Sequence, residues 1–257
     1  MRTGEFTLAS MTSPRCVAII LAGGVGNRFS AKGPKQFFFL NGKPILYHSL
    51  KPFTELPEKR IAGIIVVAPL AYMKETESVI KRYFQDDVRI HIIAGGKYRI
   101  NSYFNAIDTV SKKYKDIPIG IVHDASRPLV SSEDIEHLYK VFVRRKADAL
   151  LVGRSLPESL FRKQPGGYIE CISRDDFLLG QSPNFFTLAL LRKIRSSYSI
   201  SRTKHPETLD ILEIAAAMGH LRVVSEPLPH SNMKVTYPHD IEIAATLLAR
   251  IKPGDFS

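Results

Sequence analysis

An alternation of short apolar runs with segments of helical periodicity most constrains how this chain can fold. The runs are rich in Ile and Val and lie at residues 17–21, 61–68, 90–94, 117–122 and 149–152. Consecutive apolar residues over so few positions are typical of parallel strands that are covered on both faces. Helical spacing is found at residues 72–84, 100–110, 133–145, 188–196, 209–218 and 239–250, and a further strand is expected at 221–225. The pattern predicts an α/β fold of three layers, a Rossmann-like, mostly parallel twisted sheet with helices on both faces.

The stretch between residues 156 and 174 breaks this pattern. Its centre, Gln164-Pro165-Gly166-Gly167-Tyr168, is typical of a turn between two short strands. A hairpin has no obvious place inside a parallel sheet, so we expect it to project as an arm over about residues 155–175. We expect residues 15–252 to form a single domain. Residues 1–14 are polar, contain a second methionine and lack the apolar core of a signal peptide, so they are expected to be a disordered leader or tag.

Composition limits the partners of the chain. The 257 residues carry 36 Lys and Arg against 25 Asp and Glu, a formal net charge of +11, which suits either nucleic acid or a small anionic substrate. Arg144-Arg145-Lys146 is a short basic cluster without interleaved aromatic residues, so nucleic-acid binding is not expected. The apolar runs are too short to cross a membrane. The two cysteines, Cys16 and Cys171, lie far apart, which indicates no metal cluster and a reducing compartment, the cytoplasm.

The first apolar run opens into a glycine-rich loop. The loop reads Leu21-Ala22-Gly23-Gly24-Val25-Gly26-Asn27-Arg28 and is followed by Pro34-Lys35-Gln36. Glycines let backbone N–H groups approach phosphate oxygens, and Arg28 and Lys35 add positive charge where a phosphoryl transition state builds negative charge. The loop has neither the Gly-Lys-Ser/Thr ending of a Walker A loop nor the spacing of the dinucleotide fingerprint. It is either a phosphate-binding loop of another kind or a turn that merely joins strand to helix.

Taken with several later motifs, this loop resembles the nucleoside-diphosphate-sugar pyrophosphorylase superfamily, and within it the cytidylyltransferases that act on methylerythritol phosphate and ribitol phosphate. The resemblance runs from about residue 17 to residue 248. The motifs that carry it, besides the loop, are Gly95-Gly96 with Arg99 and Ser102, Val122-His123-Asp124-Ala125-Ser126-Arg127-Pro128, Ser173-Arg174-Asp175, Gln181-Ser182-Pro183 and Asn232-Met233-Lys234-Val235-Thr236.

The resemblance implies a cytidylyltransferase that uses CTP, a polyol phosphate and Mg²⁺. Three cations would grip the triphosphate as catalytic residues, namely Arg28, Lys35 and Lys234. Asp124 would help to bind Mg²⁺. The residues implied to hold or support the rest of the nucleotide are Leu21, Ala22, Gly23, Gly24, Gly96, Arg99, Ser102, Ala125 and Arg127.

The second substrate and the assembly follow from the same resemblance. Arg174, at the base of the arm, and Asp210 would bind the polyol phosphate, and Arg174 would do so in the active site of the neighbouring subunit of a homodimer. The family usually carries a Thr-Asp pair at this point, whereas here Leu209 precedes Asp210 and Thr208 lies one position earlier. Either the alignment shifts by one residue or that hydroxyl contact is lost, so the polyol phosphate stays open.

Two other functions stay open from the residues alone. The chain is alternatively a sugar-1-phosphate nucleotidylyltransferase that uses another nucleotide, or a non-catalytic nucleotide-binding relative.

His123 is expected to be a half-buried residue at a strand end rather than a general base. A phosphate monoester is already a competent nucleophile at neutral pH, so the reaction needs no strong base.

Overall fold

The structure, a computed structural model, describes residues 13–24, 29, 33–198, 210–228 and 232–250. The strands within these ranges are β1 (Cys16–Leu21), β2 (Phe39–Leu40), β3 (Lys43–Pro44), β4 (Ile61–Ala68), β5 (Ile90–Ala94), β6 (Ile119–Asp124), β7 (Ala149–Ser155), β8 (Leu160–Lys163), β9 (Ile169–Ile172), β10 (Leu178–Gly180), β11 (Asn184–Thr187) and β12 (Val223–Glu226). The α-helices are α1 (Ile45–Glu55), α2 (Met73–Phe84), α3 (Arg99–Lys113), α4 (Ser132–Arg145), α5 (Leu188–Ser197), α6 (Ile211–Ala217) and α7 (Asp240–Arg250). None of these helices is both long enough and apolar enough to cross a bilayer.

The central sheet is mixed, with mainly parallel strands. β6, β1, β4 and β5 lie side by side and parallel, and β12 runs parallel to β7 at the other end of the sheet. Between β6 and β7 lies β11, which is antiparallel to both. β10 pairs antiparallel with the far end of β7, and the cis peptide Ser182-Pro183 lies between β10 and β11. The predicted α/β class is therefore confirmed, with two strands of the sheet, β10 and β11, reversed.

Helices cover both faces of this sheet. Alternate residues of β1 point to opposite sides, so that Cys16, Ala18 and Ile20 join one buried cluster and Val17, Ile19 and Leu21 the other. The first cluster packs against α1, α2 and α4, and the second packs against α3, α5 and α6. A smaller cluster joins α7 to β2 and the start of α1. This is the predicted three-layer arrangement, and the strong burial of β1 on both faces follows from it.

The stretch that breaks the strand and helix pattern forms a hairpin. β8 and β9 pair antiparallel in a two-stranded sheet separate from the central one. The turn between them contains Gly166 at φ 80° and Gly167 at φ 85°, a region that residues with a side chain rarely adopt. The predicted arm is thus present, and its turn depends on the two glycines.

Some elements differ from the expectation. α1 was not predicted, and it holds Pro52 within it and begins directly after Pro44, both of which resemble helix breaks in a sequence. The short strands β2, β3, β10 and β11 were also not predicted. The predicted leader lies largely outside the described residues, and the extent of the single domain stays a prediction.

Candidate active site

The carboxyl ends of the central parallel strands lie level with one another. Leu21, the last residue of β1, pairs with Asp124 at the end of β6 and with Val67 near the end of β4. On the next strand along, Ala68 pairs with Ala94. In open α/β sheets, ligands bind beyond this edge. The predicted motifs Leu21–Gly24, Gly95-Gly96 and Asp124 are therefore brought to one edge by strand register.

Asp124 is the centre of a charged cluster at this edge. Its Oδ1 accepts a hydrogen bond from Arg99 Nη2 at 2.8 Å, and its Oδ2 accepts one from Lys234 Nζ at 2.7 Å. The side chain of Asp124 is only 10 % exposed, whereas those of Arg99 and Lys234 are each 38 % exposed. The carboxylate is thus buried beneath two cations that still face solvent.

These cations determine the ionisation of Asp124. Burial by itself would raise the pKa of the carboxyl group, but the charges of Arg99 and Lys234 outweigh it and hold that pKa well below its usual range. The same carboxylate raises the pKa of Arg99, against the opposing effect of burial. Asp124 is consequently an anion, and Arg99 a cation, throughout the neutral pH range.

A second carboxylate, that of Asp210 directly before α6, joins the cluster. Asp210 Oδ2 accepts hydrogen bonds from Arg99 Nε at 3.2 Å and from the hydroxyl of Tyr103 at 3.3 Å. Its Oδ1 accepts from the backbone N–H of Leu212 at 3.1 Å, which caps the first turn of α6. Arg99 therefore bridges two predicted sites, that of the metal and that of the second substrate.

Glycines allow close packing on the other side of the edge. Ser102 Oγ accepts the Gly96 N–H at 3.1 Å, and a Cβ added to Gly23 would lie 3.2 Å from the same oxygen. A Cβ added to Gly96 would lie only 2.1 Å from the Cβ of Asn101. These positions exclude larger residues, because the start of α3 lies directly against the two glycine segments.

Gln36 fixes the first glycine segment. Its buried Nε2 donates to the carbonyl oxygens of Ala22 at 2.6 Å and Gly24 at 3.3 Å. The carbonyl of Leu21 accepts from the N–H of Ala125 at 3.1 Å. The backbone N–H and C=O groups around Ala22 to Gly24 are thus held in place beside the end of β6.

His123 lies beneath Asp124 in a buried chain of hydrogen bonds. Its Nε2 lies 3.2 Å from the carbonyl oxygen of Arg127, which can only accept, so this nitrogen carries the proton. Nδ1 therefore accepts from the Ser182 hydroxyl at 3.1 Å, and Ser182 Oγ accepts from the Asp124 N–H at 3.0 Å. Burial lowers the pKa of His123 to about 4. The expectation of a half-buried ring was wrong, because the imidazole is fully buried.

The segment 232–236 is anchored to the strand edge at several points. The buried guanidinium of Arg127 donates to the carbonyl oxygens of Asn232 at 3.0 Å and Gly180 at 3.3 Å. Asn232 Nδ2 in turn donates to the carbonyl of Ser182 at 3.0 Å. Arg127 therefore contacts protein backbone in this structure. Its predicted support of the nucleotide site stays a prediction, and these contacts suit an indirect role, in which Arg127 holds the segment that carries Lys234.

The two predicted catalytic lysines are attached to the same segment. Lys35 Nζ donates to the carbonyl oxygen of Val235 at 2.7 Å, and the adjacent Lys234 reaches Asp124. The Val235 N–H donates to the Ser126 carbonyl at 2.8 Å. Lys35 and Lys234 thus come from different parts of the chain and meet at the segment 232–236.

One predicted residue, Arg174, is not part of this cluster, and another, Arg28, lies outside the described residues. Arg174 is exposed at the base of the arm, where its guanidinium donates to the carbonyl oxygen of Pro157. Its predicted contact with a phosphate stays a prediction that depends on a second subunit.

The side chains at this edge offer few ligands for Mg²⁺. Among the residues in the described ranges, no group of three or more His, Cys, Asp and Glu side chains is arranged to hold a metal. Mg²⁺, however, is commonly bound by one or two carboxylates together with substrate phosphate oxygens and water. Asp124 is ionised and lies at the ligand edge with Asp210 nearby. These residues fit a site that the nucleotide completes, and they do not fit an all-protein cage.

Sequence reasoning missed several residues that build the site. Tyr103 belongs to none of the motifs that carry the resemblance, and its hydroxyl contacts Arg99 and Asp210. Four further residues lie within those motifs but had no predicted role, and their buried side chains bind backbone groups of neighbouring loops and strand ends: Gln36, Gln181, Ser182 and Asn232. Their place in the motifs was the signal that could have found them, whereas Tyr103 had none.

The fold and the edge are those of a nucleotide-binding α/β protein, and comparison with known proteins narrows the class. A family model described as 2-C-methyl-D-erythritol 4-phosphate cytidylyltransferase, IspD, matches residues 16–250. The chain belongs to the IspD family. The resemblance to cytidylyltransferases that the motifs carry is confirmed by this match.

Individual relatives agree with the family. The ribitol-5-phosphate cytidylyltransferase of Lactiplantibacillus plantarum is 30 % identical over 236 residues, covering 91 % of this chain and 98 % of that protein. The 2-C-methyl-D-erythritol 4-phosphate cytidylyltransferase of Chlamydia pneumoniae is 30 % identical over 231 residues, covering 90 % and 97 %. The crystal structure of 4-diphosphocytidyl-2C-methyl-D-erythritol synthase from Anaerococcus prevotii has the same fold, with a TM-score of 0.76 at 22 % identity over 93 % of this chain and 97 % of that one.

Proposed function

We propose that this protein transfers CMP from CTP to a polyol phosphate, forming a CDP-alcohol and pyrophosphate. The observation that carries the proposal is the Asp124 carboxylate at the end of β6, bound by Arg99 and Lys234, within a chain of the IspD family. The polyol phosphate is of the D-ribitol 5-phosphate or 2-C-methyl-D-erythritol 4-phosphate type, since relatives at the same identity are named for each. The product would accordingly serve a cell-surface polymer or isoprenoid precursors.

The chemistry requires the alignment of two anions. A phosphate oxygen of the polyol phosphate attacks the α-phosphorus of CTP and forms a new P–O bond. The bond between the α-phosphorus and the oxygen that bridges the α- and β-phosphates breaks. Pyrophosphate leaves with that electron pair. Positioning and charge compensation are the main contributions that a protein makes to such a transfer. Arg28, Lys35 and Lys234 are proposed to supply the charge, and Arg99 to hold the nucleotide next to Asp124.

We propose Mg²⁺ as the cofactor, held by Asp124 together with nucleotide phosphate oxygens. When bound, it would neutralise charge that develops on the leaving pyrophosphate. Asp124 and Lys234 would hold the metal and the nucleotide respectively: Asp124 would bind Mg²⁺, and Lys234, which contacts Asp124 in this structure, would bind the nucleotide phosphates. Because both Asp124 oxygens are hydrogen-bonded to cations in this structure, the metal and nucleotide are expected to bind together.

A pyrophosphate-release assay tests the reaction. CTP, UTP, GTP and ATP are each paired with D-ribitol 5-phosphate, 2-C-methyl-D-erythritol 4-phosphate and a sugar 1-phosphate, with Mg²⁺ or with EDTA. Release confined to CTP and one polyol phosphate, and lost in EDTA, supports the proposal. Release with a sugar 1-phosphate and another nucleotide would instead establish the sugar-1-phosphate alternative. CTP binding without release from any pair would identify a non-catalytic relative.

We propose that the protein is a homodimer joined through the arm. The arm and β10 expose large apolar side chains, among them Tyr168 at 76 % and Ile169 at 67 %. Exposed apolar area of this kind is typical of a protein interface. A monomer in sedimentation velocity at micromolar concentration would overturn the proposed dimer.

We also propose a cytoplasmic location. The two cysteines, Cys16 and Cys171, form no disulfide, and disulfides are rare in the cytoplasm.

Mixing two inactive variants tests whether Arg174 acts in the partner's site. In a mixed dimer of Lys35→Ala and Arg174→Ala subunits, one of the two sites receives both native residues if Arg174 acts across the interface. Random exchange of subunits then restores about a quarter of the wild-type activity. Action within one subunit predicts no restoration at any mixing ratio.

A further inference from the structure

Tyr103 is a buried tyrosine whose hydroxyl contacts both a cation and a carboxylate of the charged cluster, Arg99 and Asp210. It lies one helical turn after Arg99 on α3 and packs into the core cluster of α3, α5 and α6. Its hydroxyl accepts a hydrogen bond from Arg99 Nη2 at 3.0 Å and donates one to Asp210 Oδ2 at 3.3 Å. Burial raises the pKa of the phenol above its ordinary value, so the hydroxyl keeps the proton that it donates.

The partners of Asp210 differ in how they respond to a ligand. Arg99 is a cation at the proposed triphosphate site, and its guanidinium also donates a hydrogen bond to Asp124. An entering triphosphate therefore competes for Arg99. The Tyr103 hydroxyl is neutral and buried, so an anionic ligand does not draw it away. The backbone N–H of Leu212 holds only the other oxygen of Asp210.

We infer that Tyr103 is a positioning residue that keeps Asp210 oriented for the second substrate while Arg99 serves the nucleotide. This inference rests on the proposed function, because it takes the polyol phosphate as the ligand of Asp210. Tyr103 itself touches no substrate. It acts through Asp210, and it therefore influences the polyol phosphate more than CTP.

Steady-state kinetics of Tyr103→Phe test this role, because the substitution removes the hydroxyl and keeps the ring. The matched control is Tyr139→Phe, another buried tyrosine, whose hydroxyl donates to the carbonyl oxygen of Pro14 at 3.0 Å, outside the site. For Tyr103→Phe we expect the KM for the polyol phosphate to rise about tenfold, as for the loss of a hydrogen bond to a charged group. The KM for CTP is expected to change less than about twofold, and Tyr139→Phe to change neither.

A double-mutant cycle shows whether the effect passes through Asp210. The dissociation constant of the polyol phosphate is measured by calorimetry, which needs no turnover, for Tyr103→Phe, Asp210→Ala and the double variant. Alanine removes the oxygen that accepts the Tyr103 hydroxyl. If Tyr103 acts through Asp210, its substitution weakens binding in the wild-type background and has no further effect in Asp210→Ala. An equal effect in both backgrounds overturns the inference, as does an equal rise of both KM values.

The two proposals fail in different ways. A wild-type protein that is inactive with both polyol phosphates overturns the proposed function and this inference with it. A wild-type protein that is active, with a Tyr103→Phe variant of unchanged KM for the polyol phosphate, overturns the role of Tyr103 alone.

Discussion

Lowering the pH from 7 to 5 is expected to destabilise the folded protein through His123. Burial lowers the pKa of this imidazole from 6.5 to about 4. The unfolded chain takes up a proton near pH 6.5, whereas the folded protein keeps the ring neutral until about pH 4. Unfolding therefore binds a proton between these values. The stability that the neutral ring contributes is complete above pH 6.5 and is lost as the pH falls toward 4.

The size of the effect follows from the shift. One pKa unit corresponds to about 1.4 kcal/mol, so this group alone lowers the free energy of unfolding by about 2 kcal/mol between pH 7 and pH 5. A positive charge on His123 would also remove the acceptor that Ser182 uses, because Nδ1 would then carry a proton. The structure provides no other acceptor for that hydroxyl among the described contacts of Ser182.

Urea unfolding of wild type and His123→Asn measures this contribution. The metal-free proteins are followed by far-ultraviolet circular dichroism, because the chain has no tryptophan. Wild type is expected to be the more stable at pH 7, and the difference between the two proteins to narrow by about 2 kcal/mol at pH 5. His220→Asn is the control for removing an exposed histidine, and its φ of 52° suits asparagine. A difference between wild type and His123→Asn that is the same at both pH values would refute the reasoning.

Three further outcomes are expected. Lys35→Ala should lower kcat by about a hundredfold or more, because the lost cation faces charge that grows in the transition state; near-normal pyrophosphate release would contradict its role. Gly96→Ala should lower the free energy of unfolding by about 1–3 kcal/mol in urea, since its Cβ has no room. Gly180→Ala, with open space around it, should cost little, and equal losses would be inconsistent with the steric argument. Alkylation by iodoacetamide at pH 8 should modify Cys171 alone in the folded protein, because burial raises the pKa of Cys16 to about 12; two modified thiols before unfolding would contradict this.

Much of the parallel framework could be predicted because local pattern and tertiary burial agree there. The central strands are short and mostly apolar, and β1, β5 and β6 end at glycine or polar motifs that strand register brings to one edge. β11 could not be predicted in the same way. It consists of four residues, Asn184–Thr187, and its antiparallel pairing with β6 and β7 depends on partners distant in sequence.

The reversed direction of β11 also explains why part of the site was missed. The start of this strand, rather than its end, lies at the ligand edge. Ser182, which contacts the end of β6, therefore comes before β11 in the sequence rather than after it. Asp124 is the last residue of β6 and Gly96 lies just after β5, so both could be found at the carboxyl ends of predicted strands. The ion pairs of Asp124 could not be deduced, because Arg99 and Lys234 come from α3 and from the segment 232–236, and only the fold brings them to one carboxylate.

The four charged side chains of the cluster have consequences at long range. Arg99 and Lys234 carry two positive charges, and Asp124 and Asp210 carry two negative ones, so at neutral pH the group is formally neutral. Beyond about a Debye length such a group exerts little attraction on an approaching anion. These four residues therefore contribute nothing to the formal net charge of +11 that the whole chain carries. In the proposed function, recognition of a triphosphate at this cluster would be an exchange of counter-ions at contact distance, and ionic strength should affect the rate of encounter at this cluster only weakly.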